Sequence, residues 1–347
     1  MSPDTPLPEG DPVADLLDVL DLQEAGQSTI TVESAPGEDN AVDLGSERVD
    51  IFLGRSQPQP HGRVFGGQVL AQCVVAAGRT VEGLDDGTGN RQVHSLHGYF
   101  LRAGDSMQPI RFAVERMRDG RSFSARRVHA LQNGKVIMSM ILSFQESADG
   151  LDHQAAMPAA PDPERLPTAA QEIGDIDHPV ARHWAYRRAV DVRHVENSIY
   201  LAPGQQAAAN QNVWLKVRDE MPDDPLLHAA ALAYASDYTL LEAVLRRHRM
   251  AWSDPRLRAA SLDHAMWFHR PARVDQWLLY VQDSPSAQGA RGLGTGAVFT
   301  EDGTLVATVA QEGMVRLPEG AAARRARVRG AAQRMAMRTV LRRSWRR

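Results

Sequence analysis

The 347-residue sequence has a single cysteine, Cys73. That excludes an internal disulfide and any metal site built from several thiolates, and it fits a reducing compartment. No run of about 20 apolar residues occurs, so no membrane-spanning helix is expected. The first residues are acidic where a secretion signal would be basic, and no apolar stretch ends in a small-residue cleavage site. These absences point to a cytoplasmic protein. Basic residues are missing from 1–47 and acidic residues from 320–347, yet the formal net charge is only −4. Nothing global therefore pulls the chain toward nucleic acid. No Gly-Lys-Ser/Thr follows Gly66-Gly67, which rules out a phosphate loop. No Gly-x-Ser-x-Gly elbow surrounds Ser236, which argues against a serine triad.

What is present is ordinary for a globular chain: 43% hydrophobic and 24% charged residues. The length allows one to three domains. Val13, Leu16, Leu17, Leu20 and Leu22 put an apolar stripe on a short helix near 13–22, within an acidic N-terminal segment spanning 1–46. Thr29 to Val32 has extended character, and Arg48 to Gly54 reads as a strand. An irregular loop from Ser56 to Gly62 leads to Gly66-Gly67 and a helix through about Gly78, with Val69, Leu70, Cys73, Val74 and Ala77 on its apolar stripe. A glycine pair at a helix start lets a ligand or another backbone approach the free N–H groups. Strands are expected at 93–102, 109–118, 122–132 and 135–145. Asn133-Gly134, between the last two, is the strongest hairpin signal in the chain.

Residues 149–185, rich in Pro, Ala, Asp and Glu, read as a surface linker. Beyond it the order of elements recurs. Ala189 to Val195 and Asn212 to Arg218 are extended, 229–248 is helical, and extended segments lie near 260–270, 275–283, 288–300 and 304–316. Phe65-Gly66-Gly67-Gln68 matches Tyr234-Ala235-Ser236-Asp237. Tyr99-Phe100-Leu101-Arg102 matches Trp267-Phe268-His269-Arg270, and Gly134 to Phe144 matches Gly303 to Gly313. A helix followed by a meander, twice, is a duplicated domain, with units at 47–148 and 186–318. An Arg-rich tail, 319–347, includes Arg324, Arg325, Arg342 and Arg343. It reads as a solvated segment, as a helix on acidic surface, or as a contact for an anionic partner.

Five stretches carry a resemblance. They are Gly62 to Gln68, His94 to Phe100, Leu232 to Asp237, the run Leu262-Asp263-His264-Ala265-Met266-Trp267-Phe268-His269-Arg270-Pro271, and Gln311-Glu312-Gly313. Together they resemble the acyl-CoA thioesterase II family over roughly 12–317. The resemblance implies an α+β double hotdog: two tandem units, each a long helix wrapped by an antiparallel sheet. It implies hydrolysis of fatty acyl-CoA to free fatty acid and CoA, with no cofactor and no metal. The family's Asp, Ser or Thr, and Gln fall on Asp237, Ser261 and Gln311, which would hold a water against the thioester carbonyl. Ser261 stands where family members often carry Thr. In the first unit Gln68 faces the position of Asp237 and Leu142 that of Gln311, so one site is expected per chain, in the second unit. Hotdog domains commonly pair, so a homo-oligomer, dimer or tetramer, is also expected.

The same residues have plainer readings. Asp237, opening a helical pattern, is a common N-cap. The dipole would lower its pKa and burial would raise it; the sequence does not rank the two. Gln311 alone reads as a solvent-facing strand residue. His264 and His269 resemble a metal pair but have no third ligand at a usable spacing. Gly66 and Gly67 are expected to lend N–H groups to an oxyanion across the interface between units, with Gln68 and His264 among the substrate contacts. Arg270 and Arg291, with Arg102 and Arg126, are candidates for the anionic end of CoA. The competing functions are a non-catalytic acyl-CoA-binding protein and a hotdog enoyl-CoA hydratase, whose chemistry wants an Asp and a His paired after a loop, an Asp-x-x-x-x-His signature that the chain is expected to lack.

Overall fold

A computed structural model describes residues 10–31, 46–82 and 91–317. The Asp11 side chain accepts the Val13 N–H at 2.9 Å, and Pro12 opens helix α1 (Pro12–Leu20). Strand β1 (Gln23–Thr31) pairs antiparallel with β2 (Ser46–Gly54). The first unit therefore begins well before residue 47, and part of the expected acidic arm is an edge strand. Next come α2 (Gly66–Arg79), β3 (Gln92–Phe100), β4 (Ile110–Asp119), β5 (Phe123–Gln132) and β6 (Lys135–Gln145). Asn133 and Gly134 join the last two with φ of 49° and 71°, the left-handed pair a tight hairpin requires. Residues 83–90, whose Gly and Asp content reads as a turn in sequence, and the Arg-rich tail at 319–347 lie outside the described residues.

The connection read as a surface linker is partly helical. Thr168 and Gln171 form a capping box on α3 (Ala169–Ile173), and α4 (Pro179–Tyr186) buries Ala181 and Ala185. The segment is pinned to the second unit: Trp214 donates its indole N–H to the Pro161 carbonyl at 2.9 Å, and Trp277 donates to Glu164 at 2.9 Å.

The second unit holds β7 (Val190–His194), β8 (Asn210–Val217), α5 (Pro225–Ser236), α6 (Glu242–Arg247), β9 (Arg258–Ser261), β10 (Asp263–Phe268), β11 (Leu278–Gln288), β12 (Arg291–Thr300) and β13 (Leu305–Arg316). All the strands among the described residues join one sheet in the order β1-β2-β4-β5-β6-β3-β10-β13-β12-β11-β8-β7, with β9 on β13. The order reads alike outward from the β3–β10 seam, where Ala265 faces His97 in antiparallel register. The sheet thus relates the units by an approximate two-fold, β6 matching β13, β5 matching β12, and so on.

The helices obey the same relation, which corrects the match drawn from sequence. α5 packs antiparallel along α2. A Cβ on Gly78 would lie 2.4 Å from Leu226, and one on Gly67 would lie 2.4 Å from the Tyr234 carbonyl. The start of α2 therefore meets the end of α5, and the end of α2 meets the start of α5. Gln68 near the start of α2 is not the counterpart of Asp237 at the end of α5. Phe65 and Tyr234, paired as equivalents by sequence, are instead in ring contact, centroids 5.1 Å apart. α2 is buried from Gly67 to Gly78, beyond the expected stripe.

The helix expected over 229–248 starts earlier, at Pro225 behind an Asp224 cap, and breaks at Asp237. At the break Tyr280 Oη donates to the Ser236 carbonyl at 3.3 Å, while the Thr239 carbonyl accepts the Glu242 N–H at 2.8 Å and Gln211 Nε2 at 3.3 Å. Leu240 presses its carbonyl onto β12, where a Cβ on Gly294 would come within 2.5 Å of that oxygen. Among the described residues no helix is long and apolar enough to cross a membrane.

Gly294→Ala should therefore cost about 1–3 kcal/mol, since backbone must move to admit the methyl. Urea denaturation measures it; an unchanged midpoint would mean that this contact is slack.

Candidate active site

Asp237 closes α5 rather than opening a helix, with φ −83° and ψ −6° at the C-cap. Its own helix therefore turns a negative end toward it. The helix end that favours its charge belongs to α2. Phe65, at the N-cap of α2, offers no side-chain cap, and the Gly67 N–H donates to the Asp237 carboxylate. A Cβ on Gly66 would lie 2.6 Å from Asp237 Oδ2 and 3.0 Å from the Phe100 ring. The glycine pair serves close approach, as its position at a helix start implied.

Two further side chains converge on Asp237 Oδ1. Gln311 Nε2, from β13, donates at 2.6 Å, and Ser261 Oγ, at the end of β9, donates at 3.3 Å. Gln311 Nε2 also donates to Ser261 Oγ at 2.7 Å. Pairing of β9 with β13 sets Ser261 opposite Gly313 and so beside Gln311. Gln311 is buried, not solvent-facing as its strand pattern alone read, and its Oε1 has no hydrogen-bond partner among the described residues. Burial pushes the Asp237 carboxyl up from 3.8 to about 6, against the lowering pull of Gln311, Gly67 and Ser261.

Asp237, Ser261 and Gly66 line a cavity of about 590 Å³ between the units. Its wall mixes residues of both units with His183 and Trp184 of α4. Of the arginines expected to meet CoA, Arg102 lines this cavity; Arg63 and Arg188 line it too and were not singled out from sequence. Arg270 instead binds the Leu305 carbonyl at 3.0 Å and pairs with Asp152. Arg291 pairs with Glu312 at 2.9 Å, and Arg126 is buried on Asp119 and Thr80, each at 2.7 Å. None of these three lines the cavity.

Gln68 and His264 do not line it either. Gln68 is fully buried; it accepts the Gln57 N–H at 2.9 Å and donates to Gln72 at 3.0 Å. His264 is fully buried with Nε2 2.9 Å from Ser236 Oγ. Ser236 Oγ donates to the Ala233 carbonyl at 2.8 Å, so it accepts from His264, whose proton sits on Nε2. Burial takes the His264 pKa down to about 3. It ties the end of α5 to β10 as a neutral ring. Cys73 is buried, its thiol pushed well above the ordinary range, so it is no nucleophile. An Asp-x-x-x-x-His spacing does occur, at Asp223 and His228. The Asp223 side chain is 97% exposed and paired with Arg273, while His228 Nδ1 accepts the Val274 N–H at 3.3 Å. Neither lines the Asp237 cavity. Among the described residues no group of three or more His, Cys, Asp or Glu could hold a metal.

Comparison with known proteins follows the same outline. The family model described as acyl-CoA thioesterase matches residues 183–314, and that described as acyl-CoA thioesterase N-terminal domain matches 55–145. The chain is 39% identical to human acyl-coenzyme A thioesterase 8 over 280 residues, 77% of this chain and 85% of that protein. It is similar to the crystal structure of an acyl-CoA thioesterase II from Mycobacterium marinum, with 44% identity and TM-score 0.65, covering 88% of this chain and 99% of the other. A hot dog fold protein of unknown function from Alicyclobacillus acidocaldarius superposes with TM-score 0.64 at 19% identity, covering 88% and 99%. The fold is a double hotdog.

The raised carboxyl has a consequence for stability. Below 3.8 Asp237 is protonated whether folded or not. From there to about 6 only the folded state keeps the proton, so stability falls as pH rises, and above about 6 it has been lost. Asp237→Asn removes this titration, and its one amide oxygen can still accept from Gln311. Its melting temperature should gain on the wild type by roughly 2 °C or more between pH 4 and pH 8. A difference that does not change with pH would remove the claim.

Proposed function

The chain belongs to the acyl-CoA thioesterase family, and we propose that it hydrolyses acyl-CoA in the Asp237 cavity by base-assisted attack of water. The observation that carries this reading is the convergence of Asp237, Ser261 and Gln311 within 3.3 Å of one another, from three separate segments, around a buried carboxylate facing a cavity.

Asp237 takes a proton from water as the water oxygen adds to the thioester carbonyl carbon. Its raised pKa makes it a stronger base than an ordinary carboxylate and leaves it ionised at pH 7. Gln311 and Ser261 hold Oδ1, so the carboxylate cannot rotate away. Gln311 itself does not line the cavity and its Oε1 is buried, so it acts by positioning Asp237 and Ser261. The electron pair of the carbonyl moves to oxygen as the tetrahedral intermediate forms. The N–H groups opening α2 are the nearest candidate donors to that oxyanion. Because Gly67 already serves Asp237, Gly66 is the more available of the pair. Collapse breaks the carbon–sulfur bond, CoA leaves as thiolate, and the proton held by Asp237 returns to it. The products are free fatty acid and CoA. At the mouth, Arg63 and Arg102 are exposed and form no ion pair among the described residues. We assign them to the phosphates of CoA, in place of Arg270 and Arg291.

The reading includes self-association. Tyr99, Ile141 and Trp267 are 62%, 43% and 39% exposed near the β3–β10 seam, an apolar surface of the kind that pairs. Sedimentation at micromolar concentration decides it, and a monomer there would withdraw it.

Asp237→Asn should lower kcat by about 10²–10⁴-fold in a thiol-release assay, and wild-type kcat/KM should fall as pH drops below about 6. Ser261→Thr should stay active. Gly66→Ala, which places a methyl against Oδ2, should lose activity while remaining folded. Normal turnover by folded Asp237→Asn would refute the mechanism.

A further inference from the structure

We propose that Trp184 and Trp252 form the end wall of the acyl channel and set the longest chain the enzyme accepts. The proposal rests on the Asp237 cavity being the acyl-CoA site. The lining of that cavity is uneven in exposure. His61, Arg63, Leu101 and Arg102 are exposed to water; Leu241 is buried, and Trp184, Tyr238 and Trp252 are half-buried. The polyanionic head of CoA takes the part where two arginines without acidic partners meet solvent. The apolar chain takes the part walled by rings and leucine. Asp237 and Ser261 also line the cavity, where the thioester must sit.

The wall is assembled from parts with no other role in the reaction. Trp184 comes from α4, in the connection between units, and Trp252 from the loop after α6. Their ring centroids are 6.5 Å apart with planes at 78°, an edge-to-face contact. Each ring is held. The Trp252 Nε1 donates to Glu242 Oε1 at 2.8 Å, and Glu242 Oε2 meets His194 Nε2 at 2.8 Å. The Arg188 guanidinium lies 4.7 Å from the Trp184 ring centroid and 4.5 Å from that of Tyr238. Arg188 thus joins the linker to the residue after the base. Tyr200 backs Trp184 with centroids 5.2 Å apart. A wall so tied does not yield to a longer chain at small cost. It also lies off the residues that hold Asp237, so chain length can change without disturbing the chemistry.

The test is kcat/KM of the full chain for acyl-CoA substrates from butyryl to palmitoyl. Trp252→Ala and Trp184→Ala should raise the palmitoyl-to-octanoyl ratio about tenfold, the scale on which pocket volume discriminates apolar groups. Trp252→Phe keeps most of the ring and loses the indole donor; it should shift the ratio less, and it serves if the alanine variants do not fold. An unchanged ratio in folded variants overturns the wall. So does a KM raised equally for every chain length together with weaker inhibition by free CoA, because that would put the tryptophans against the CoA head. A wild-type protein inert toward every acyl-CoA would instead sink the reading of the site, and the wall with it.

Discussion

A buried carboxylate is costly unless donors surround it, and Asp237 draws its donors from three distant parts of the chain. Gly67 supplies a backbone N–H from the first unit, and Gln311 and Ser261 supply side chains from the second. The positive end of α2 acts on a charge that sits at the negative end of α5. The donors only partly offset desolvation, which leaves the carboxyl near 6. That balance suits a base working close to neutrality. It also couples the two units, because neither alone contains both the acid and the N–H that holds it.

The break after α5 is what makes this geometry available. A straight helix through 237–241 would keep its carbonyls in its own ladder. Here Tyr280 reaches from β11 to the Ser236 carbonyl, Gln211 from β8 adds a second bond to the Thr239 carbonyl beside the Glu242 N–H, and Gly294 lets the Leu240 carbonyl settle on the sheet. The helix bends toward its sheet, and Asp237 is left facing the seam between units. The aromatic rings of Phe65, Tyr234 and Tyr238 pack at the same place, and Tyr234 Oη donates to Gln57 at 2.8 Å. The irregular loop before α2 is held by these contacts.

The approximate two-fold generates a second place with the same surroundings, where the start of α5 meets the end of α2. Val93 and Leu142 stand there at the strand positions of Ser261 and Gln311. The end of α2 offers Gly78, Arg79 and Thr80 where α5 offers Asp237. At that second place, among the described residues, Thr80 and its neighbours stand where Asp237 does, rather than Gln68 as the sequence match had it.

Much of this was legible in the residues alone. The meander strands, the Asn133-Gly134 hairpin and the helix behind Gly66-Gly67 follow from alternation, turn chemistry and periodicity, which act over a few residues. The motifs around Asp237, Ser261 and Gln311 marked the family. Which end of a helix Asp237 occupies was not legible, because Pro225 to Arg247 is helix-forming throughout and the contacts at its break come from Gln211, Tyr280 and Gly294, distant in sequence. Nor was the fate of the histidine and the arginines: His264, Arg270, Arg291 and Arg102 have similar local surroundings in sequence, and burial or a neighbouring acid separates them. The linker's helices, and the placement of its Trp184, were hidden by a composition that reads as coil. Local patterning determined the elements and their order; long-range packing alone decided which groups share the cavity, because burial and charge depend on neighbours that the chain brings together only when folded.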